Sequence, residues 1–238
     1  MGPAGEVQQM GVERRNAAYL DPLERRVLVW FAARLPAAVT PDRLTALGFV
    51  GALAATAAYA LASRMPAMLW VASAGLVVNW FGDSLDGTLA RWRRSERPRY
   101  GFFLDNSVDL IEQALLGLGL ALSGYVQWPL VAAVLVTFFM VSMLSLLQAQ
   151  VSRVFPIAYG GIGLTEIRCG LILWNVALFF APPRPFAMLD LGLTYSDCLA
   201  IAWLVGNVAI FLTTMVRELR RLGIEDPPDP SRAGRQHR

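Results

Sequence analysis

Six apolar stretches, each close to the length of a membrane span, constrain this chain more than any other feature. They cover roughly residues 42–62, 66–86, 102–123, 127–151, 166–182 and 192–216. An α-helix of about 20 apolar residues crosses the ~30 Å hydrocarbon core of a bilayer. Within that core, a helix satisfies all of its own backbone hydrogen bonds. The stretches therefore predict an all-α, polytopic membrane protein with six transmembrane helices.

The composition agrees and excludes several other classes. The chain is 55% hydrophobic and 16% charged, whereas soluble domains carry about a quarter charged residues. The net charge of +3 is too small to indicate a nucleic-acid partner. The single histidine, His237, lies in a polar tail, which excludes a histidine-based metal site or triad. Cys169 and Cys198 lie in apolar segments without ligand spacing, so we expect buried thiols.

Four segments organise the chain. Residues 1–19 are expected to form a flexible polar N-terminus, and residues 20–36 an interfacial amphipathic helix. Residues 40–217 form the predicted six-helix transmembrane catalytic domain. Residues 222–238 are rich in proline and charge, which predicts a disordered C-terminal tail.

The predicted interfacial helix combines apolar and basic residues. Leu23, Val27 and Trp30 fall at helical spacing, with Arg25 and Arg26 between them. This pattern is typical of a helix that lies along the membrane surface. After it, Thr40-Pro41 predicts the N-cap and first turn of the first span.

Arginines predict the orientation of the spans. They concentrate before the first span, between the second and third, between the fourth and fifth, and after the sixth. The opposite loops carry only Arg64 and Arg184. The positive-inside rule therefore predicts that both termini and the loop at 91–99 are cytoplasmic.

The stretch at the ends of the second and third spans, DSLDGTLARWRRSERPRYGFFLDNSVD, contains four aspartates. Asp83 and Asp86 are three residues apart, and Asp105 and Asp109 are four apart, so each pair shares a helix face. Neighbouring antiparallel helices would point the two pairs at each other. An unpaired charge costs about 2.5–3.5 kcal/mol near the bilayer centre. Such a cluster needs cations, and carboxylates without histidine or cysteine suit Mg²⁺ or Mn²⁺.

Two glycines accompany the aspartates. Gly87 follows Asp86, and Gly101 precedes Asp105 by one turn. Glycine costs up to about 1 kcal/mol relative to alanine inside a helix. We expect that it allows the close approach of a ligand or of a second helix. Arg91, one turn after Gly87, is placed to meet a phosphate.

Together these residues form the patterns D-x-x-D-G-x-x-A-R and G-x-x-x-D-x-x-x-D. The chain resembles the CDP-alcohol phosphotransferase (CDP-alcohol phosphatidyltransferase) family at all eight signature positions, with nine residues between Arg91 and Gly101, one more than the commonest spacing. Six spans after an interfacial helix also resemble that family. The matching positions are Asp83, Asp86, Gly87, Ala90, Arg91, Gly101, Asp105 and Asp109.

The resemblance implies a reaction in which a CDP-activated alcohol transfers its phosphoryl-alcohol group to a second alcohol and CMP leaves. It implies two metal ions, Mg²⁺ or Mn²⁺, held by Asp83, Asp86, Asp105 and Asp109, with Asp109 also the candidate base. It further implies a homodimer among membrane lipids, with no nucleic-acid partner. The CDP pocket would be lined by Gly87, Ala90, Arg91 and Gly101, with Asn79 and Thr45 as further candidates.

Two weaker resemblances have local structural alternatives. TPDRLT at 40–45, with Asp42 where the family more often has asparagine, resembles a stretch that contacts CDP; a helix start explains it equally. GLTE, from Gly163 to Glu166, resembles the GPTE stretch of choline and ethanolamine phosphotransferases. If functional, Glu166 meets an amine or hydroxyl, and Arg168 or Arg153 a phosphate; the alternative is a helix cap.

The functional interpretation is an enzyme of phospholipid synthesis in a bacterial inner membrane, with its site on the cytoplasmic side. CDP-diacylglycerol (CDP-DAG) is the expected donor, and the acceptor is glycerol phosphate, an inositol phosphate, serine or another small alcohol. In the alternative, CDP-choline or CDP-ethanolamine donates to diacylglycerol. An alternative of another class is a cation or proton transporter that uses intramembrane acids.

Overall fold

The computed structural model describes residues 13–15, 20–152, 154–156, 162–185 and 192–227. Its body is helical, as predicted, and a helix lies at each of the six predicted spans. Two three-residue strands, β1 (Glu13–Arg15) and β2 (Val154–Pro156), pair in parallel. The helices are α1 (Asp21–Ala32), α2 (Pro41–Ala62), α3 (Met68–Trp92), α4 (Pro98–Leu122), α5 (Trp128–Ser152), α6 (Leu164–Phe180) and α7 (Tyr195–Glu225).

Three of the described helices are long and apolar enough to cross a membrane. They are α2, the Trp128–Val151 part of α5, and α7. Helices α3 and α4 carry the aspartates together with Asn79 and Glu112, which lowers their hydropathy, and α6 has only 17 residues. A membrane protein is therefore supported, and six crossings stay a prediction.

The outer faces of the helices are apolar. Val50, Leu173 and Phe180 are each more than half exposed, an arrangement that is unfavourable in water and suits lipid. Cys169 and Cys198 are also exposed. The expectation of buried thiols is therefore wrong, because both cysteines lie on outward faces of α6 and α7 rather than inside the bundle.

Helices α2 and α3 pack closely along a seam of glycines, which we call the glycine seam: Gly48, Gly51, Gly75 and Gly82. A Cβ added to Gly51 would lie 2.6 Å from the backbone nitrogen of Asn79, and one added to Gly75 would lie 2.8 Å from the carbonyl oxygen of Gly51. Small residues let two backbones approach in this way. The seam fixes the depth at which α2 meets the aspartate-bearing end of α3.

The predicted N-terminal helix is present as α1. Leu28 and Ala32 are buried and pack in one cluster with Leu85 of α3. Leu23 and Trp30 point outward and are more than half exposed. One face of α1 therefore contacts the bundle and another is available to lipid.

The ends of α2 and α7 test two further predictions. Thr40 is the N-cap of α2, accepting from the backbone N–H of Arg43 at 3.3 Å, with proline at the first turn, as predicted. Helix α7 continues to Glu225, so residues 222–225 are helical and not part of a disordered tail. Arg221 pairs with Glu225 at 3.5 Å, and with Glu218, at helical spacing. Residues 228–238, 1–12 and 16–19 lie outside the described residues.

Candidate active site

The four aspartates lie on neighbouring turns of two helices. Asp83 and Asp86 belong to α3, Asp105 and Asp109 to α4, and all four are half-buried. The charges of Asp83 and Asp105 act on both Asp86 and Asp109. Folding therefore brings the two predicted pairs close enough to interact electrostatically, and we call these four residues the acidic cleft.

Asp86 is held by groups on two helices. The Thr45 hydroxyl of α2 donates to Asp86 Oδ2 at 2.5 Å, and the backbone N–H of Gly87 donates to Oδ1. Thr45 is a predicted member of the CDP pocket, and in the structure its hydroxyl contacts the Asp86 carboxylate. It reaches Asp86 because the glycine seam brings the first turns of α2 against α3.

Asp83 is paired with a buried cation. Arg168 Nη2 of α6 donates to Asp83 Oδ2 at 2.8 Å, and only 8% of Arg168 is exposed. The charges of Asp109 and Glu112 also act on this guanidinium. Arg168 was predicted as a phosphate ligand on the aspartate side, and the structure places it inside the acidic cleft.

Asn79 lies deeper between the helices than predicted. Its amide donates to Glu112 Oε2 at 2.7 Å and to the carbonyl of Gly48 at 3.2 Å. Its Oδ1 is buried without a hydrogen-bond partner among the described residues. Asn79 therefore links α2, α3 and α4 one turn before Asp83, and its predicted place in the CDP pocket stays a prediction.

Gly87 and Gly101 border open space. A Cβ on Gly87 would meet the Arg91 guanidinium at 3.4 Å, and one on Gly101 would meet nothing within 4 Å. Arg91 donates to Thr88 at 3.2 Å and is exposed. Ala90, which lies between Gly87 and Arg91 in the sequence, is half-buried. Within the described part of the chain, no second helix packs against either glycine, so close helix packing does not explain them and their role in ligand binding stays a prediction.

The start of α6 is capped by Glu166. Its Oε2 accepts from the backbone N–H of Gly163 at 2.9 Å and its Oε1 from that of Leu20 at 2.8 Å. One carboxylate oxygen therefore caps α6, which is the structural alternative, and the other links α6 to the start of α1. Arg153, the other predicted phosphate ligand, lies outside the described residues.

An ion pair borders the cleft on the α3–α4 loop. Arg97 Nη2 donates to the two oxygens of Asp42 at 2.5 and 2.7 Å, and this hydrogen bonding to the carboxylate raises the pKa of Arg97. Arg93 donates to the carbonyls of Leu35 and Pro36 after α1. These contacts fix the loop against the α1–α2 connection, and they account for Asp42 without a nucleotide.

The donor set fits divalent ions in chemistry. Four carboxylates in one group, without histidine or cysteine, are the hard oxygen ligands that Mg²⁺ and Mn²⁺ prefer. Their mutual repulsion also favours added positive charge. In the part of the chain that the structure describes, no three such side chains are arranged to ligate one ion, since Asp83 pairs with Arg168 and Asp86 with Thr45.

A cavity of about 360 Å³ opens from the inner end of the acidic cleft. Its wall is apolar over most of its extent and is contributed chiefly by α4, α5, α6 and α7. Its polar end is formed by Asn79, Asp109, Glu112 and Arg168. The cavity therefore has a polar end at the acidic cleft and an apolar wall over the rest of its extent.

Sequence reasoning missed Glu24 of α1. It accepts hydrogen bonds from Trp80 and Ser84 of α3 at 2.8 Å each, and from Thr165 of α6 at 3.0 Å. A helical-wheel signal was present, because Glu24 falls on the same face as Leu28, which is buried against α3.

Comparison with known proteins places the chain among related enzymes. It is similar to archaetidylinositol phosphate synthase of Pyrococcus horikoshii, 35% identical over 104 residues, 44% of this chain and 52% of the relative. The corresponding enzyme of Methanothermobacter thermautotrophicus is 33% identical over 107 residues, 45% of this chain and 47% of the relative. The chain thus matches about half the length of each relative.

A solved structure resembles the whole fold. Phosphatidylinositol phosphate synthase of Mycobacterium tuberculosis with CDP-DAG bound matches with a TM-score of 0.52 and 25% identity, over 83% of this chain and 94% of that chain. The model of the CDP-alcohol phosphatidyltransferase family matches residues 38–215, which include every aspartate of the acidic cleft. The chain therefore belongs to the CDP-alcohol phosphatidyltransferase family.

Proposed function

We propose that this enzyme transfers a phosphatidyl group from CDP-DAG to a phosphorylated small alcohol, of which an inositol phosphate is the best candidate, and releases CMP. The observation that carries the proposal is the acidic cleft. Its four aspartates belong to the complete eight-residue signature, and the buried guanidinium of Arg168 pairs with one of them, Asp83. Membership of the family supports the transferase class over the transporter alternative.

Two lines of support concern the donor and the acceptor. The relatives are named for products that carry an inositol phosphate, and the structural neighbour contains CDP-DAG. In this chain, Arg168 adds a planar cation of the kind that binds phosphate bidentately. The apolar cavity beside the cleft suits a lipid donor, whereas Glu166 is occupied by the helix cap and gives no support to an amino-alcohol substrate.

The residues have separate roles in this proposal. Asp83, Asp86, Asp105 and Asp109 would hold two Mg²⁺ or Mn²⁺ ions, and such ions would supply positive charge beside the diphosphate of the donor. Gly87 and Gly101 leave room for the nucleotide, and Arg91 meets one of its phosphates. Thr45 orients Asp86 through its hydrogen bond.

The acceptor side uses two groups. Asp109 accepts the proton of the attacking hydroxyl as general base. Arg168 binds the phosphate of the acceptor and so orients that hydroxyl. Because Arg168 also contacts Asp83, it places the acceptor next to the donor site.

The arginine distribution supports an orientation with the acidic cleft and both termini on the cytoplasmic side. The proposal further includes a bacterial inner membrane, α2 to α7 as six crossings and a homodimer as the assembly. Helix α1 lies in the interface with its outward residues Leu23 and Trp30 in lipid.

The test is CMP release by purified protein in detergent or vesicles. CDP-DAG and CDP-choline are offered separately with Mg²⁺ against inositol phosphate, inositol, glycerol phosphate, serine and diacylglycerol. We expect release with CDP-DAG and inositol phosphate, and loss of it when EDTA removes the metal. Release with CDP-choline and diacylglycerol alone would instead assign the amino-alcohol alternative.

The Arg168→Met variant separates the acceptor assignment from the donor assignment. It should raise the KM for inositol phosphate by about tenfold or more, since a charge-assisted bidentate contact is lost, and leave the KM for CDP-DAG nearly unchanged. Equal loss for both substrates would contradict a role of Arg168 in acceptor binding.

A further inference from the structure

Glu24 joins three helices at the level of the acidic cleft. Its Oε1 accepts from Trp80 Nε1 and Ser84 Oγ of α3, both at 2.8 Å, and both of its oxygens lie 3.0 Å from Thr165 Oγ1 of α6. Glu24 belongs to α1, which precedes the part of the chain matched by the family model. A carboxylate with three donors from two other helices is a specific arrangement and not a solvated surface charge.

The position of these donors relates Glu24 to the substrate site. Ser84 directly follows Asp83, and Thr165 precedes Arg168 by one helical turn. The ion pair between Asp83 and Arg168 joins α3 to α6 directly. Glu24 joins the same two helices through the neighbouring residue of α3 and through a residue one turn earlier in α6.

A second hydrogen bond fixes α1 to the start of α6. The backbone N–H of Leu20 donates to Glu166 Oε1 at 2.8 Å. The first turn of α6 is therefore held from α1 at two consecutive residues, Thr165 and Glu166. Movement of α1 away from the bundle would break the hydrogen bonds of both residues to α1. Of the contacts described above, only the ion pair with Asp83 would then hold Arg168.

We infer that Glu24 is a positioning residue for acceptor binding. By binding Ser84 and Thr165 at once, it sets the distance between α3 and α6 and hence the position of the Arg168 guanidinium relative to Asp83. The inference rests on the acceptor role proposed above for Arg168. Helix α1 is accordingly a part of the acceptor site as well as a membrane anchor.

The kinetic test uses substitutions that remove single hydrogen bonds. Thr165→Val keeps the shape of the side chain and removes the donor to Glu24, and Glu24→Gln removes the charge. Each should raise the KM for inositol phosphate by about three- to tenfold, the equivalent of one hydrogen bond, with kcat and the KM for CDP-DAG nearly unchanged. Thr165→Ser restores the hydroxyl and should restore the acceptor KM.

Thr213→Val is the matched control. The hydroxyl of Thr213 donates within its own helix, to the carbonyl of Ala209 at 2.6 Å, so its loss should leave all three constants unchanged. Unchanged constants in Thr165→Val, or an equal rise in both KM values, would overturn the inference while the proposed function stood.

A stability measurement tests the inference without turnover. In a double-mutant cycle, the effects of Glu24→Gln and Arg168→Met on the thermal midpoint in detergent should be non-additive, because both residues hold the same helix pair. Additive effects would overturn the inference even if no substrate of the enzyme were found. Absence of CMP release from wild-type protein would count against the proposed function only.

Discussion

Two sets of glycines in α3 and its neighbours have opposite environments. In the glycine seam, Gly75 and Gly82 press against the backbone of α2, and a Cβ on Gly75 would lie 2.8 Å from a backbone atom. In the acidic cleft, Gly87 and Gly101 border open space or only the Arg91 side chain. Gly82 and Gly87 are little more than one turn apart in α3, yet Gly82 packs against the backbone of α2 and Gly87 faces only the Arg91 side chain.

The difference shows how a rigid support and an open site are combined. The seam fixes two backbones against each other, so Thr45 of α2 reaches Asp86 of α3. The cleft begins where the seam ends. Substitutions in the seam should therefore act on stability, and substitutions in the cleft on catalysis and ligand binding.

The largest expected effect is a loss of kcat on substitution in the acidic cleft. Asp109→Asn should lower kcat by about 10²–10⁴-fold, because it removes the proposed general base. The thermal midpoint should stay the same or rise, since one of several mutually repelling charges is removed. Rates of CMP release, CDP binding and thermal unfolding would be measured together.

Asp226→Asn is the control for that substitution, because Asp226 is the exposed C-cap of α7. It should change neither kcat nor the thermal midpoint. Retained turnover in Asp109→Asn would exclude Asp109 as the base, and loss of folded protein would place Asp109 with the structural residues.

On the packing side, Gly51→Ala should lower the free energy of unfolding by about 1–3 kcal/mol, the usual cost of overpacking. The new methyl group would lie 2.6 Å from the backbone nitrogen of Asn79, so α2 and α3 must separate. The measurement is chemical or thermal unfolding in detergent.

Gly206→Ala in α7 is the matched variant, because a Cβ there meets nothing within 4 Å. It should gain up to about 1 kcal/mol from helix propensity. Equal stability of the two variants would show that the seam is not tight.

A smaller effect is expected at Gly101. Gly101→Ala should raise the KM for CDP-DAG by about tenfold, roughly 1.4 kcal/mol, by filling space used by the nucleotide. Its stability should match or exceed that of the wild type, because alanine favours the helix. An unchanged KM would show that the open space at Gly101 is not used by the donor.

The smallest effect is expected at the border of the cleft. Asp42→Asn breaks the pair with Arg97, whose members are about half exposed, and such pairs contribute little. Turnover should fall by at most about fivefold, and the difference should shrink as salt screens the pair. A strong and specific loss of CDP-DAG binding would assign Asp42 to the nucleotide pocket.

The sequence predicted the helices well because their signals are local. Apolar runs of membrane length, the Thr40-Pro41 start of α2 and the amphipathic pattern of α1 each act within a few turns. The end of α7 was missed, since its last turns are polar and are supported by pairs such as Arg221 with Glu225. The strand pair β1–β2 joins segments far apart in the chain, which no local pattern reveals.

The site was predicted in part for the same reason. Spacing placed Asp83 with Asp86 and Asp105 with Asp109, and the family signature joined the two pairs. The partners of these residues come from other helices: Thr45 for Asp86, Arg168 for Asp83 and Glu112 for Asn79. Neither the exposure of Cys169 nor the identity of the hydrogen-bond partners of Glu24 follows from their neighbours in the sequence.

The amino-acid sequence by itself determined the helical membrane class, the family and the acidic residues, because helix periodicity and motif spacing are properties of short segments. The tertiary structure decided which glycines pack and which leave space, and which cation lies next to Asp83. These outcomes depend on the approach of α1, α2 and α6 to α3. That approach is set by close contacts between residues distant in the chain, such as Gly51 with Gly75 and Glu24 with Thr165.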